Sequence, residues 1–419
     1  MKIVLVVPGF PKLSETFIVN KFERLLAAGY DVKVICDRSE TSEWARFDLH
    51  DEWGLRRRVI QTSPRRPESR AALAAPGVLI RCLMLNPRGT FRYLQRFWPS
   101  LRWRTFVRLY VDAELIGLKP EIIHFEFGAL AVDRMHLGEI LKCKVVVSFR
   151  GHDLTFVGLD QPDYYADIWT KADAVHLLGR DLWTRARERG CPPRIEHALI
   201  APAIDLERFG CTDRPPEDIG TSSRPALLLS VARLHWTKGH EYVMTSVRLL
   251  IDSGLSVHLR IVGEGDFLDA AGFCRRQLGL EDFVTLVGAV PPARVVEELD
   301  DADILVQGSV SEGFCNAVME AQAMRLPVVV SDAGGLPENV ADGVTGFVVP
   351  RRDPDAMAEK LAILINDPEL RQEMGLAGRQ RVEALFRLED QIRAFGSLYD
   401  EVCHEDPKDE VSASSEAAF

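Results

Sequence analysis

Two glutamates, Glu312 and Glu320, lie eight positions apart, shortly after an apolar stretch at residues 304–306. The stretch is typical of a β-strand, and small, flexible residues follow it before a helical pattern begins. The first acid is therefore expected in a turn and the second on a new helix, whose unbonded N–H groups face that turn. Because a helix start of this kind attracts anions, the arrangement suits a sugar ligand that carries a phosphate.

Two basic residues, Arg233 and Lys238, follow another apolar stretch at residues 226–231. Ligands of open α/β sheets bind beyond the carboxyl ends of the strands. We therefore expect both cations at the same edge as Glu312, where they could neutralise a departing diphosphate as a metal does in other transferases. Alone, two basic loop residues would more often be solvated. Their combination with the acidic turn favours ligand binding.

Parallel sheets are the elements that would position these residues. Short apolar runs separated by helical or loop-like sequence form one series in the first half of the chain and a second series from residue 226 onward. This alternation predicts two doubly wound α/β domains with a cleft between them, since 419 residues exceed what one core usually serves. The predicted division is an N-terminal domain at 1–206, a linker at 207–224, a second domain at 225–384, a helix at 385–403 returning to the first domain, and a disordered tail at 404–419.

Composition excludes several classes of function. A net charge of -11 and a pI near 5.5 disfavour nucleic acid as the main partner. The eight cysteines are scattered, with no pair and no histidine cluster at metal-ligand spacing, which indicates reduced thiols in a cytosolic protein and no metal site. The N-terminus is typical of a first strand rather than a secretory signal. No apolar run is long enough to span a bilayer.

One segment departs from the acidic average. Residues 54–111 contain thirteen arginines, no lysine and a single acid, Glu68, so the segment carries a net charge of +12. Aromatic and aliphatic residues are interleaved with the arginines at helical spacing. This composition is typical of helices that lie on anionic lipid, so we predict an anionic membrane surface as a partner and a position on the inner face of the cell membrane. Ordinary domain packing with a solvated basic rim is the alternative.

Five motifs in order through the second half of the chain carry a family resemblance. They are Ser230 to Gly239, Val262 to Gly265, Val287 to Val290, Ser311 to Glu320, and Ser331 to Glu338 followed by Gly343 to Val348. Together with Phe10 to Ile18 and Ser148 to Leu154, they resemble retaining glycosyltransferases of family 4, and in particular bacterial exopolysaccharide and colanic-acid-type enzymes. The resemblance implies the GT-B fold, in which two Rossmann-like domains face each other.

The resemblance also implies roles for individual residues. Arg233 and Lys238 would hold the donor diphosphate, Glu312 would contact the donor sugar, and Glu320 would bind the ribose. Backbone groups would complete the donor site at Gly9, Gly288, Val290, Gly313, Phe314, Cys315, Asn316 and Ala317. The loop of Ser14, Glu15 and Thr16 would face the acceptor together with Arg150, and His152 is a catalytic candidate beside Glu312, Arg233 and Lys238.

The reaction implied is metal-independent transfer of a hexosyl group from a nucleotide-diphosphate sugar, with no other cofactor, to a hydroxyl of a lipid-linked glycan in envelope polysaccharide synthesis. Relatives often carry histidine at the position of Arg150, so either Arg150 or His152 could assist the reaction. A sugar-nucleotide epimerase and a non-catalytic partner subunit remain alternatives. The Asp301-Ala-Asp303 sequence more often ends a helix than holds a metal, and Gly263 and Gly265 are a weak dinucleotide fingerprint.

Overall fold

A computed structural model describes residues 1–12, 15–39, 44, 54–62, 68–97, 103–210 and 216–404, with backbone alone for 68–73 and 103–107. Two parallel β-sheets, each covered by helices on both faces, form the molecule. The predicted fold class is confirmed.

The first sheet has seven strands: β1 Lys2–Gly9, β2 Asp31–Arg38, β3 Val59–Gln61, β4 Ile122–Phe125, β5 Lys144–Phe149, β6 Ala174–Leu177 and β7 His197–Leu199. Their order is β3-β2-β1-β4-β5-β6-β7, and every pair is parallel. Side chains alternate between the two faces of a strand. Val4 and Val6 thus enter one core while Ile3 and Leu5 enter the other. Burial on both faces explains why the strands are nearly continuous apolar runs.

Helices of the first domain cover both faces of this sheet. They are α1 Thr16–Ala27, α2 Leu55–Arg58, α3 Glu68–Leu85, α4 Pro87–Phe97, α5 Trp103–Leu118, α6 Gly128–Ala131, α7 His136–Leu141, α8 Gly151–Thr155, α9 Ala166–Lys171 and α10 Arg180–Glu188. The arginine-rich segment is therefore largely helical, as its periodicity predicts. Buried Leu109, Leu115 and Ile116 attach α5 to the core, and α3 packs on α5.

The second sheet has six strands: β8 Ala226–Val231, β9 Val257–Val262, β10 Val284–Gly288, β11 Ile304–Gln307, β12 Val328–Ser331 and β13 Gly346–Val349. They are parallel in the order β10-β9-β8-β11-β12-β13. The covering helices are α11 His240–Asp252, α12 Leu268–Gln277, α13 Pro292–Asp301, α14 Asn316–Ala323, α15 Pro354–Asn366 and α16 Pro368–Leu385. Because β8 and β11 are neighbours, the loops after them meet at one edge.

A last helix, α17 Leu388–His404, packs on the first domain. Its buried residues Ile392, Phe395 and Tyr399 join the core formed by α1 and the first sheet. The backbone N–H of Ile204 donates to the carbonyl oxygen of Phe386 at 2.9 Å, just before α17 begins. The chain therefore passes between the domains at two adjacent points, near residues 204 and 387. Most of the predicted tail, residues 405–419, lies outside the described residues, as does Ser14.

The Asp301-Ala-Asp303 sequence ends α13 and leads into β11, as predicted. Asp303 lies at the amino end of β11, the edge opposite the loops that carry Lys238 and Glu312. Its carboxylate accepts from the Arg224 guanidinium at 2.9 Å and from the Leu227 N–H at 2.7 Å. This aspartate therefore joins the start of the second domain to its sheet.

Among the described helices, none has both the length and the apolar character needed to cross a bilayer. Seven of the eight cysteines are within the described residues, and all seven are free thiols, as the scattered spacing predicts. Cys211 lies outside the described residues.

Candidate active site

Two loops at the carboxyl edge of the second sheet are joined by close backbone packing. The loop after β8 ends at Gly239, which has φ +60°, and a Cβ there would lie 2.1 Å from the carbonyl oxygen of Gly308. Only glycine fits this position, because a side chain would meet both backbone strain and a clash. The Val310 N–H also donates to the Thr237 carbonyl oxygen at 2.8 Å. These contacts hold the loop of Lys238 against the loop of Glu312.

Lys238 and Glu312 form an ion pair at this junction. The Lys238 Nζ lies 2.5 Å from the Glu312 Oε2, and the two side chains are 17% and 11% exposed. Burial alone would lower the pKa of Lys238, but the adjacent Glu312 carboxylate raises it above its usual value. Ser309 also donates to the Glu312 Oε2, at 3.3 Å. A protonated ammonium group is therefore held at the base of the cleft.

Arg233 lies on the same loop as Lys238, and its side chain is exposed. The loop is ordered here as well, because buried His240 donates from its Nε2 to the Arg233 carbonyl oxygen at 3.1 Å. Burial, with Arg233 and Lys238 nearby, lowers the pKa of His235, so this imidazole is neutral around neutral pH. Two permanent cations thus accompany a neutral histidine after β8.

Glu320 lies on α14, one turn beyond the helix start. Burial raises the pKa of its carboxyl to about 7, and the charge of Arg208 only partly opposes this. At the helix start, the Cys315 N–H donates to the Asn339 side chain at 3.2 Å, and Asn339 donates back to the Cys315 carbonyl oxygen at the same distance. One of the backbone amides predicted to bind donor therefore already has a partner.

The remaining predicted donor residues lie at or near this edge. Gly288 ends β10 with φ +82°. Val290 is half-buried against a hydrophobic core of the second domain. Phe314 contacts hydrophobic cores of both domains, and its ring lies 5.7 Å from that of Phe386. It therefore contributes to the boundary between the domains.

The first domain faces this edge through α8. A Cβ added to Gly151 would lie 3.0 Å from the Cα of Gly313, so the two backbones are in close contact across the cleft. The exposed side chain of His152 lies beside Phe156, with ring centroids 5.6 Å apart. Phe156 in turn contacts Trp236 of the second domain edge to face, at 5.7 Å. Aromatic contacts therefore connect His152 to the loop that carries Arg233 and Lys238.

Arg150 has a different environment from His152, because its side chain is buried beneath the cleft wall. Its Nη2 donates to Glu126 at 2.7 Å, and Glu126 also accepts from Lys21 at 2.6 Å. The Arg150 guanidinium lies over the Phe17 ring, at 4.4 Å from its centroid. Burial lowers the pKa of Lys21 to about 8, against the opposing attraction of Glu126. Of the two predicted candidates, His152 is the one whose side chain is accessible.

Neutral polar groups continue this network into the domain. His176 donates from Nε2 to a backbone carbonyl oxygen at 2.9 Å, which leaves its Nδ1 to accept from the Ser148 hydroxyl at 2.7 Å. Ser148 accepts from the Nε2 of His124 at 2.7 Å, and the His124 Nδ1 accepts from Tyr399 at 2.7 Å. Tyr399 belongs to α17. These hydrogen bonds therefore connect the buried residues next to Arg150 to α17, the helix that follows the second domain.

Gly9 is the last residue of β1, and Glu15 and Thr16 follow it at the cleft edge of the first sheet. Gly9 is buried and pairs with Arg38, and Glu15 forms an ion pair with Lys12 at 3.1 Å. A Cβ at Gly9 would lie 2.7 Å from the Lys12 side chain. These residues lie on the predicted side of the molecule, although none of the described contacts joins them directly to Lys238 or Glu312.

Glu338 also connects the two domains, close to the contact of Gly151 with Gly313. Its carboxylate accepts from the backbone N–H groups of Arg180 and Asp181, at 2.9 Å and 2.8 Å. These are the first residues of α10, so a carboxylate of the second domain caps a helix of the first. Negative charge at a helix start is favourable because the N–H groups there lack helical partners. The motif containing Glu338 carries the family resemblance, but no role for this residue follows from its type alone.

Residues 213–381 match the family model described as glycosyl transferases group 1. The amylovoran biosynthesis glycosyltransferase AmsK of Erwinia amylovora is 27% identical over 92% of this chain and 96% of its own length. A GDP-mannose-dependent monoacylated alpha-(1-6)-phosphatidylinositol monomannoside mannosyltransferase of Corynebacterium glutamicum is 28% identical over 68% of this chain and 78% of its own length. The structure of Anabaena HepE in complex with UDP-glucose has a TM-score of 0.72 at 14% identity, covering 96% of this chain and all of HepE.

The two sheets give the chain the GT-B architecture, and the matched segment gives its second half a glycosyl transferases group 1 domain. The chain carries a glycosyltransferase group 1 domain over residues 213–381, which contains Arg233, Lys238, Glu312 and Glu320. The predicted resemblance is confirmed at this level. The roles of the individual site residues stay predictions.

Sequence reasoning missed Lys21, Glu126, Phe156 and Trp236. Trp236 carries a usable signal, because an exposed aromatic residue between two cations beyond a strand end is unusual in a loop. Glu126 carries no such sequence signal. It directly follows β4 in the sequence His-Phe-Glu-Phe, which is typical of a strand end.

Proposed function

We propose that this glycosyltransferase moves a hexosyl group, with retention of anomeric configuration, from a nucleotide-diphosphate sugar to a hydroxyl of a lipid-linked glycan in exopolysaccharide synthesis. The observation that carries the proposal is the Lys238–Glu312 pair at the carboxyl edge, with Arg233 exposed beside it. The biosynthetic context is supported by the name of AmsK, and a lipid acceptor by that of the Corynebacterium mannosyltransferase.

In the proposed reaction, Arg233 and Lys238 stabilise the diphosphate as the bond between its oxygen and the sugar carbon breaks. Lys238 is fixed in a partly buried pair and needs little reorganisation at that moment, so it acts more strongly than an ion in water would. This charge stabilisation is the task that a metal performs in other transferases, and turnover is therefore expected to persist in EDTA.

Glu312 would hold hydroxyls of the donor sugar, because its carboxylate accepts hydrogen bonds and is itself fixed by Lys238 and Ser309. Glu320 would accept from the ribose. The acceptor hydroxyl would attack from the same face that the diphosphate leaves, giving its proton to a departing phosphate oxygen. In this scheme no side chain becomes glycosylated, and catalysis consists of positioning and charge stabilisation.

Replacing Glu312 with glutamine tests the assignment of the donor sugar. Glu312→Gln is expected to keep binding of a nucleoside diphosphate, because the diphosphate contacts Arg233 and Lys238. Sugar transfer should fall by about a hundredfold, the loss of one strong polar contact in a transition state. Isothermal calorimetry over a panel of nucleoside diphosphates gives binding, and transfer to a lipid-linked glycan fraction gives turnover.

Glu359→Gln is the matched control, since Glu359 is an exposed residue of α15 paired with its neighbour Lys360. It should leave both measurements unchanged. Transfer by Glu312→Gln at the wild-type rate would exclude the proposed sugar contact. Retention is tested separately by NMR of the product, where an inverted anomeric centre would contradict the mechanism.

A further inference from the structure

Within the described part of the chain, α3 carries an exposed apolar face. Ile80, Leu83 and Met84 are 57%, 41% and 73% exposed, and their spacing places them on one side of the helix. On the following helix, α4, Phe91 is 59% exposed. Large apolar side chains that are exposed as a group, rather than singly, indicate an interaction surface.

The opposite side of α3 is buried, so the helix is packed on the domain even though Ile80, Leu83 and Met84 are exposed. Cys82 and Ala75 are each 1% exposed, and the Cys82 thiol donates to the Ala113 carbonyl oxygen of α5. The helix therefore already buries one apolar face against α5 and the core. The residues Ile80, Leu83 and Met84 form a second apolar face, which points away from the domain.

The helix that follows this second face carries exposed positive charge. Arg88 and Arg96 of α4 are exposed. The nearby acid Glu114 is paired with Arg81, and Asp112 is buried and paired with Arg134 at 3.1 Å. Within residues 54–111, Glu68 is the single acid. Glu139 is exposed on α7, which packs on α4, so the arginines are only partly offset.

We propose that Ile80, Leu83, Met84 and Phe91, together with Arg88 and Arg96, form a docking face for an anionic lipid bilayer. Apolar side chains would enter the boundary between headgroups and acyl chains while the guanidinium groups bind lipid phosphates. Nucleic acid would neutralise the arginines but offers no apolar medium for Met84 and Ile80. A second copy of the chain would cover the apolar face but would bring two strongly basic surfaces together.

The proposal goes beyond the transfer reaction, because the face is built from helices distant in sequence from Lys238 and Glu312. Its test therefore needs no assay of activity. The purified chain is mixed with sedimentable vesicles of phosphatidylcholine alone or with added phosphatidylglycerol, at low and at raised salt. Binding is expected only to the anionic vesicles and should weaken as the salt concentration rises.

Two double variants separate the contributions of charge and apolar contact. Arg88→Gln/Arg96→Gln should weaken binding to anionic vesicles by about thirtyfold, since each arginine near such a surface contributes a factor of about five. Ile80→Ser/Met84→Ser should weaken it by about tenfold or more, because several buried methylene groups are lost. All four side chains are exposed, so the melting temperature should not change.

Matched controls lie on α12 of the second domain, where Leu268 and Phe273 are 49% and 66% exposed and Arg276 is also exposed. Leu268→Ser/Phe273→Ser and Arg276→Gln should bind vesicles like the wild type. Absence of binding at low salt, or equal binding by all variants, would overturn the proposal. A dimer in sedimentation velocity that Ile80→Ser/Met84→Ser abolishes, without vesicle binding, would assign the face to a second copy instead.

Discussion

At the scale of single residues, charge at the cleft depends on two cations with different surroundings. Lys238 is held by Glu312 in a partly buried pair, whereas Arg233 projects from the same loop and is exposed. Removing Lys238 leaves a carboxylate without its cation, which destabilises a protein because the remaining charge is poorly solvated. Arg233 can be removed without this consequence. The two residues therefore allow catalysis and folding to be tested separately.

Arg233→Gln is expected to lower turnover by about a hundredfold if it stabilises the leaving diphosphate as one oxyanion donor does. The melting temperature should stay at the wild-type value, because the side chain is exposed. Lys238→Met should lower both turnover and melting temperature. Steady-state transfer kinetics and thermal unfolding provide the two readouts.

Arg248→Gln serves as the control, because Arg248 lies on α11 of the same domain and pairs with Asp252, away from the cleft edge. Wild-type turnover in Arg233→Gln and Lys238→Met together would remove both residues from the mechanism.

At the scale of secondary-structure elements, the turn between β11 and α14 controls the ionisation of Glu320. Its carboxyl sits on the first turns of α14, where burial favours the protonated form and raises its pKa to about 7. In the unfolded chain the pKa of a glutamic acid is about 4.3. The folded state therefore binds the proton more tightly than the unfolded state does. Stability from this group is present at low pH and is lost as the pH rises through the folded value.

The free energy of unfolding should accordingly fall between pH 4.5 and pH 7.5, by up to about 3 kcal/mol from Glu320 alone. Glu320→Gln cannot ionise and should show a shallower decrease over the same range. Urea unfolding at several pH values measures both slopes. Parallel curves for the two proteins would mean that Glu320 titrates normally in the folded chain.

At the scale of the whole molecule, the described contacts between the domains include backbone contacts, a carboxylate and aromatic side chains. Gly151 and Gly313 approach so closely that neither has room for a side chain, and Glu338 caps α10 of the opposite domain. Phe156 also contacts Trp236 of the opposite domain, edge to face. Because Glu338 accepts from two backbone N–H groups of the opposite domain, the distance between the domains should respond to loss of this carboxylate.

Glu338→Ala removes both hydrogen bonds to the start of α10 and should favour separation of the domains. Hydrogen bonds to a charged group contribute roughly 1.5–3 kcal/mol each, so the ratio of closed to open molecules should fall by at least about tenfold. The radius of gyration from small-angle X-ray scattering should increase, and transfer should slow. Nucleoside diphosphate binding should be retained, because Arg233 and Lys238 are unchanged.

Gly272→Ala is a useful comparison for this experiment. A Cβ at Gly272 would meet no atom within 4 Å, so the variant should keep the wild-type radius and be at least as stable. An unchanged radius in Glu338→Ala would show that the glycine and aromatic contacts suffice to keep the domains together.

Much of the architecture follows from local pattern. The apolar runs at residues 226–231 and 304–306 became β8 and β11 because strands buried on both faces must be apolar throughout. The three-residue strands β3 and β7 were not predicted, since so short a segment has no recognisable period. In the arginine-rich segment the helical period was clear, but which apolar side chains are buried was not.

In the candidate site, too, some features follow from neighbouring residues and others depend on residues far along the chain. Residue types and spacing were sufficient to place Glu312 in a turn, Glu320 on a helix, and both cations after β8. They did not predict that Lys238 pairs with Glu312, or that Arg150 is buried while His152 is exposed. Each of these depends on a partner far along the chain: Glu312 is 74 positions from Lys238, and Glu126 is 24 positions from Arg150.

The sequence by itself therefore determined the class of fold, the order of most strands along the chain and the position of Arg233, Lys238 and Glu312 in loops after strands. Periodicity and turn chemistry act over a few residues, and they can be read without knowing what packs against them. Only the tertiary structure decided which charges pair, which apolar face of α3 stays exposed and how the domains contact each other. Those outcomes depend on packing between distant segments, where burial changes the energy of every charge and side chain.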